Sequence, residues 1–229
     1  MPKTAVVVPA YNAANTLGDL VTRISRNVRE ENIFVVDDGS SDRTEFVARE
    51  KGVWVLRHAG RRGKGSALGN GTRKALELGY DLIITIDSDL QHDPDEIPAF
   101  ITASEHFDVV VGERSVSTSQ MPVHRFLSNS ITSGMITLRT GVKIKDSQCG
   151  YRLYRAEVLR SINSKATHFD YESDILIKSA LAGFRIGSVP IRTIYNNSFS
   201  SMRFVDVARF VRVFLKSYTF RYDKDKSSR

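Results

Sequence analysis

The chain has 229 residues, 41% of them hydrophobic, which is enough for one large α/β domain with a decorated end and argues against two independent domains. A single cysteine, Cys149, excludes a disulfide framework and reads as a core thiol in a reducing compartment, while the absence of any run of ~18 apolar residues or signal-peptide pattern predicts a soluble, cytoplasmic body. A formal net charge of +7 favours anionic partners, whether nucleic acid, nucleotide phosphates or an acidic lipid surface.

Thr4 to Val8 reads as a strand, broken by Pro9-Ala10-Tyr11-Asn12 before Leu17, Leu20, Val21, Ile24 and Val28 recur at helical spacing. Ile33 to Val36 forms a second strand that ends in Asp37-Asp38-Gly39-Ser40-Ser41-Asp42, and Asp42 with Glu45 has the spacing of a capping box. Val53 to Leu56 is a third strand. The glycine-rich basic loop Arg57 to Gly65 follows, then a helix closing near Gly79. Its Gly63-Lys64-Gly65 resembles phosphate-cradling sequences, although no Walker A or dinucleotide pattern is present and a solvated helix-start loop is an equal reading. This strand–helix alternation predicts a doubly wound, mostly parallel sheet.

The fourth strand organises the chain. Leu82 to Ile86 is an apolar run without alternation, as in a strand buried on both faces, and it stops at Asp87-Ser88-Asp89-Leu90-Gln91-His92. Ligands gather beyond the carboxyl ends of such strands, so Asp87 and Asp89 are placed at the mouth of a site. With the side-chain carbonyl of Gln91 they form a hard oxygen set suited to Mg2+ or Mn2+ sharing phosphate oxygens. Capping the next helix is the alternative role, but Asp93-Pro94-Asp95-Glu96 already supplies a cap, an N1 proline and early acidic residues. Asp37 and Asp38 end the second strand in the same manner, where a carboxylate is able to accept from a base N–H or simply to serve the turn.

Asp108 to Val111 is a fifth strand ending at Gly112-Glu113-Arg114, and the small polar run Ser115 to Gln120 reads as a mobile loop beside the site. Residues 123 to 140 are helical, Asp146 to Tyr154 carries Cys149-Gly150-Tyr151-Arg152, and Tyr171 to Ala182 is another helix, with Glu172 and Asp174 on different faces. Phe184 to Val189 is a strand before Pro190. The five histidines show no ligand spacing. From residue 204 onward Phe204, Val207, Ala208, Val211, Phe214, Leu215 and Tyr218 form an apolar stripe on a basic helix, which Phe210 and Val213 widen. Such a helix either packs on its own domain or lies in a membrane interface, and its basic flanks favour the second. We divide the chain into residues 1–195 and a basic amphipathic segment, residues 196–229.

Six motifs in order carry a resemblance: Val-Val-Pro-Ala-Tyr-Asn (7–12), Val-Asp-Asp-Gly-Ser-Ser-Asp (36–42), Gly-Lys-Gly-Ser-Ala-Leu (63–68), Asp-Ser-Asp-Leu-Gln-His (87–92), Cys-Gly-Tyr-Arg (149–152) and Ala-Gly-Phe-Arg-Ile-Gly-Ser-Val-Pro-Ile (182–191). Together they resemble the family 2 glycosyltransferases of the GT-A fold, and among these the dolichyl-phosphate mannose and glucose synthases. The resemblance implies a nucleoside site at Pro9, Tyr11, Val36 and Asp38, with Lys64 beside it. Asp87, Ser88, Asp89 and Gln91 would hold the diphosphate, and Asp87, Asp89 and Gln91 its metal. Arg114 would contact the transferred sugar or acceptor phosphate, and Arg125 and Ser128 the acceptor phosphate. Where the synthases carry an arginine followed by Gly-x-Ser-Lys, this chain has Asn196 and Phe199-Ser200-Ser201-Met202, with Arg192 and Arg203 as replacement cations.

The implied reaction is an inverting, metal-dependent hexose transfer from GDP-mannose or UDP-glucose to a polyprenyl or dolichyl phosphate, at the cytoplasmic face of a membrane and without nucleic acid. Asp89 and Arg114 are the catalytic residues expected, with Glu172 if a base is needed. A phosphate acceptor, with a second pKa near ~6, is already largely dianionic and needs no base. A sugar hydroxyl, the acceptor of a glycan-extending transferase, needs one, and Glu172, Asp174 and Asp146 are the candidates. A nucleotidyltransferase, a phosphoacceptor signalling domain and a non-catalytic nucleotide-sugar sensor are the other readings.

Overall fold

The structure, a computed structural model, describes residues 2–114, 123–162, 164–194 and 204–222, without the side chains of residues 123–126 and 204–205. The expected loop Ser115 to Gln120, the positions Asn196 and 199–202, and Arg203 lie outside the described residues. In chain order the elements are β1 (Thr4–Ala10), α1 (Ala14–Ile24), β2 (Ile33–Asp37), α2 (Thr44–Glu50), β3 (Trp54–Arg57), α3 (Lys64–Glu77), β4 (Leu82–Thr85), α4 (Ile97–Ala103), β5 (Val109–Arg114), α5 (Val123–Thr140), β6 (Arg152–Arg155), α6 (Ala156–Ser161), α7 (Asp170–Leu181), β7 (Ile186–Ile191) and α8 (Phe204–Lys216).

The strands form one sheet of seven in the order β3-β2-β1-β4-β6-β5-β7, parallel except for β6. β1 and β2 are buried along their full length and β4 likewise, as unalternated apolar runs require when helices cover both faces. The chain winds outward through β1, β2 and β3, then returns to the other side of β1 for β4. That reversal opens a crevice at the carboxyl ends of β1 and β4. Val7 accepts from Ile86 N and Ala10 from Asp38 N, so Val7 and Pro9 turn toward the β4 side, where pairing has ended by Val7. A residue with no N–H is tolerated at Pro9 for that reason.

β6 is the strand the sequence did not reveal. Arg152-Leu153-Tyr154-Arg155 is short and flanked by charge, yet it runs antiparallel between β4 and β5, with Arg152 opposite Thr85. Being antiparallel, it begins where β4 ends, so the segment Cys149 to Tyr151 arrives directly over Asp87, and Gly150 O accepts from Thr85 Oγ1 at 2.9 Å. β7 runs through Pro190 to Ile191, past the expected stop at Val189, because it is an edge strand where a missing donor is tolerated.

The capping box expected of Asp42 and Glu45 does not form. Asp42 accepts from Thr44 N and Oγ1 and from Ala14 N, which ties the starts of α1 and α2 together, while Glu45 pairs with Arg49 and Arg57. Helix α8 packs on α7 through Phe210 and Val213, which are buried, and Arg139 of α5 donates to Ser217 O at its end. No helix among the described residues is long and apolar enough to cross a membrane.

Candidate active site

The crevice at the strand ends is a cleft of about 690 Å³, floored by Pro9, Ala10 and Tyr11 after β1, Asp38 after β2 and Asp87-Ser88-Asp89 after β4, with Arg61 to Lys64 on one wall. Phe169, Asp206 and Arg209 line it from the C-terminal third. Two non-glycine residues of the described chain have positive φ, Asn12 (51°) and Leu90 (61°). Both sit where a strand gives way to the cleft, and strain of this kind is retained where the surrounding structure fixes it. Asn12 is fixed by Ser40 Oγ, which accepts from its N–H, and by its own side chain, which accepts from Ser41 N. The turn at Leu90 is fixed by Asp89 Oδ1, which accepts from Gln91 N. Ser88 O is held at 2.6 Å by Thr16 Oγ1 of α1.

The electrostatic centre is a buried contact of three charges. Lys64 Nζ lies 2.7 Å and 3.0 Å from the two oxygens of Asp87 and 3.1 Å from Glu172 Oε2. Burial alone would lower the lysine pKa, but Asp87 and Glu172 outweigh it and hold it above its ordinary value. For Asp87, burial opposes ionisation and Lys64 outweighs that, so its carboxyl is depressed. For Asp89, burial and the charge of Asp87 outweigh the lowering by the Gln91 N–H and by Lys64, and raise it. Two half-buried carboxylates with one residue between them, the second of them raised, are a site short of positive charge.

Gly150 makes this contact possible. A Cβ there would lie 2.7 Å from Asp87 Oδ2, 2.8 Å from Lys64 Nζ and 3.0 Å from Glu172 Oε1. The residue stood in a motif in the sequence, but nothing local signalled its role because its partners are 22 to 86 positions away. Arg152 fixes the same loop. Its buried guanidinium donates to the carbonyls of Ser147, Cys149 and Glu172, each at 2.7 Å.

Asp38 serves its own loop in this structure. Its carboxylate accepts from Arg62 N and Gly63 N, and His58 Nδ1 lies 2.7 Å from Oδ1 with Asn70 Nδ2 2.7 Å from Nε2. The histidine protonated on Nδ1 donates to Asp38 and accepts from Asn70, a relay that the sequence did not disclose. Gly63 and Gly65 also serve packing. A Cβ on Gly63 would meet Thr167 O at 2.6 Å, and one on Gly65 would meet His168 O at 2.5 Å. Arg61 lies over the ring of half-exposed Tyr11 at 4.1 Å and was not singled out by sequence. Val36 is fully buried, its side chain directed at Gly71 of α3, so it reaches the cleft only through its backbone.

The structure does not gather every expected residue around Asp87. Arg114 is drawn to Asp146, donating from Nε at 2.7 Å and from Nη2 at 2.9 Å. Ser128 Oγ accepts from Gln148 Nε2, and the side chain of Arg125 is outside the described residues. Glu172 and Asp174 do face different ways, Glu172 to Lys64 and Asp174 to Lys178. His92 is buried against Cys149, 3.7 Å away, and burial pushes its pKa down to about 4, so it is neutral at pH 7. The Cys149 thiol is pushed up to about 12, chiefly by burial.

The donor set fits a divalent cation. Among the described residues no group of three His, Cys, Asp or Glu side chains converges as a self-sufficient cage. Asp87 and Asp89 instead offer two carboxylates, an ammonium already stands against the first, and Gly150 leaves the space open. Such a site suits an ion that takes its remaining ligands from phosphate and water.

Residues 5–162 match the family model for glycosyl transferase family 2. The chain belongs to that family. It is 33% identical over 221 residues to an uncharacterized protein of Methanocaldococcus jannaschii, covering 92% of this chain and 89% of that one. It is 32% identical over 200 residues to the undecaprenyl-phosphate mannosyltransferase of Micrococcus luteus, covering 82% of each. It is 29% identical to the UDP-N-acetylglucosamine–dolichyl-phosphate N-acetylglucosaminyltransferase of Methanococcus voltae, covering 96% of each. Its backbone matches crystalline glucosyl-3-phosphoglycerate synthase of Mycobacterium tuberculosis, solved with Mn2+, UDP-glucose and phosphoglyceric acid, with a TM-score of 0.75 at 21% identity over 97% of this chain and 81% of that one. The fold is GT-A and the protein is a glycosyltransferase, so the signalling-domain reading falls away.

Proposed function

We propose that this glycosyltransferase moves a hexose from a nucleotide diphosphate sugar to a polyprenyl phosphate, with inversion and with Mg2+ or Mn2+ held by Asp87, Asp89 and Gln91. The observation that carries the acceptor class is the state of the three residues eligible as a base. Glu172 is paired with Lys64, Asp174 with Lys178 and Asp146 with Arg114. A carboxylate already neutralised by an adjacent cation is a weak base for a hydroxyl acceptor, whereas a phosphate dianion needs no base. The names of the relatives from Micrococcus luteus and Methanococcus voltae support the same acceptor class.

In this reading the nucleoside lies beside the Tyr11–Arg61 stack, with Pro9 and Asp38 lining the same end of the cleft. The diphosphate lies at Asp87-Ser88-Asp89. When bound, the cation neutralises charge developing on the departing diphosphate. Lys64 adds N–H donors at the same oxygens, and a cation would offset the burial and the Asp87 charge that raise the Asp89 carboxyl. Arg114 and Ser128, with Arg125, would form the acceptor-phosphate wall, Arg114 exchanging one of its hydrogen bonds to Asp146 for one to the phosphate. Exposed Val207, Val211 and Leu215 of α8, Tyr218 just after it, and exposed Leu127, Ile131 and Leu138 of α5 give the protein apolar faces for a membrane surface carrying its lipid acceptor.

The test is a transfer assay with GDP-mannose and UDP-glucose, each with Mn2+, on a short-chain polyprenyl phosphate and on a free hexose. Metal-dependent product with the phosphate acceptor and none with the hexose is expected. Transfer to the hydroxyl acceptor that depends on Glu172 would overturn the acceptor assignment.

A further inference from the structure

The contact between Lys64, Asp87 and Glu172 has an asymmetry that an ordinary ion pair lacks. The ammonium spans both oxygens of Asp87, at 2.7 Å and 3.0 Å, and so takes up the carboxylate that the cation needs. On its other side Glu172 offers only Oε2, at 3.1 Å, while Oε1 is buried without a hydrogen-bond partner. Glu172 therefore has acceptor capacity that the present arrangement leaves unused. The space between the three groups is kept clear by Gly150, and the Phe169 ring, centred 5.6 Å from the ammonium, faces it without competing for a proton. A cation placed on Asp87 would abut the ammonium and repel it.

Resting on the reading that Asp87 and Asp89 hold a divalent cation, we propose that Lys64 is a displaceable internal counter-ion. It occupies Asp87 while the cation is absent and shifts to the unsatisfied oxygen of Glu172 when the cation binds. Glu172 is then a positioning residue for Lys64 and not the base. The charges are consistent with this exchange: Asp87, Asp89 and Glu172 carry three negative charges against one from Lys64, and a divalent ion brings the group to neutrality before the diphosphate arrives. The exchange makes the free metal a weak ligand, and a donor diphosphate that accepts from the displaced ammonium restores the affinity. Metal and donor binding are thereby coupled through one side chain.

The experiment is a double-mutant cycle on the full chain, with Mn2+ alone as the probe and free Mn2+ read by electron paramagnetic resonance. Lys64→Met is expected to tighten Mn2+ binding about tenfold, and Glu172→Gln to weaken it at least ~5-fold when Lys64 is present, because the lysine then rests wholly on Asp87. In the Lys64→Met background Glu172→Gln is expected to change the affinity less than ~2-fold. Equal effects of Glu172→Gln in both backgrounds mean that the residues act only as fixed charges, and overturn the proposal. Should a variant fail to fold, a Mg2+ titration of the wild-type chain with 13C-labelled lysine reads the same event. A saturable shift of the Lys64 side-chain resonance supports displacement, and no shift at saturating Mg2+ overturns it. Mn2+ binding that is absent, or unaltered by Asp89→Ala, instead refutes the metal site itself, so the two failures are separable.

Discussion

Replacing Arg152 should destabilise the fold by several kcal/mol, because it alone ties together carbonyls of two separate segments among the described residues. Its guanidinium is fully buried and makes three 2.7 Å hydrogen bonds to the carbonyls of Ser147, Cys149 and Glu172. Hydrogen bonds to a charged group contribute roughly 1.5–3 kcal/mol each, so the gross interaction is roughly 5–9 kcal/mol. The desolvation of the guanidinium, which the methionine variant avoids, offsets part of this, and a net loss of about 3–5 kcal/mol is expected for Arg152→Met. With a urea slope of roughly 2–3 kcal/mol per molar for a domain of this size, the midpoint falls by about 1–2 M.

Arg152→Lys separates geometry from charge. It keeps the positive charge, but a compact ammonium does not reproduce a planar fork over three carbonyls on two segments, so it should recover less than about half of the loss. Urea unfolding followed by circular dichroism measures both variants. A midpoint shift under ~0.3 M for Arg152→Met, or full recovery by Arg152→Lys, would refute the idea that these three bonds hold the 147–150 loop and the start of α7.

Gly150→Ala places a methyl group within 3.0 Å of Asp87, Lys64 and Glu172, and is expected to cost about 1–3 kcal/mol and to abolish transfer, checked by urea unfolding and the transfer assay. Wild-type turnover in that variant would mean that the contact has room to spare. Burial pushes the Cys149 thiol up to about 12, so the folded protein should resist iodoacetamide at pH 8 and be labelled only after denaturation, as read by mass spectrometry. Val211→Ser with Leu215→Ser, both exposed positions, should leave unfolding unchanged and weaken co-sedimentation with anionic liposomes, and unchanged sedimentation would remove α8 from the membrane surface.

The parallel core and the two carboxylate-bearing strand ends were legible because each depends on local pattern: unalternated apolar runs in β1, β2 and β4, ended abruptly by Asp38 and Asp87. What was not legible depends on partners far along the chain. The antiparallel insertion of β6 is set by Arg152 lying opposite Thr85, and no spacing within Arg152–Arg155 encodes that. Gly63 and Gly65 looked like phosphate-loop glycines, but the 167–168 segment that requires them is a hundred residues away. The ion pair of Glu172 with Lys64, 108 positions earlier, was not legible either, because sequence shows a carboxylate but not its partner.

Helix α8 shows a different limit of periodicity. The stripe Phe204, Val207, Ala208, Val211, Phe214, Leu215 and Tyr218 reads as the main apolar face, whether for the domain or for a membrane, with Phe210 and Val213 as surplus. In the structure Phe210, Val213 and Ser217 turn inward, while Val207, Val211, Leu215 and Tyr218 are exposed. Both sets recur at helical spacing, so the pattern identifies an amphipathic helix without saying which of its two apolar faces docks. The choice is made by neighbours: Arg139 donates to Ser217 O and lies over the Tyr218 ring at 4.5 Å, which fixes the rotation of the helix end. Burial of Phe210 also makes it a poor target for a membrane test, since its loss removes core packing as well as any lipid contact. The bilayer contact proposed for α8 rests on the surface apolar residues that remain, with exposed Arg212 and Lys216 on the same helix.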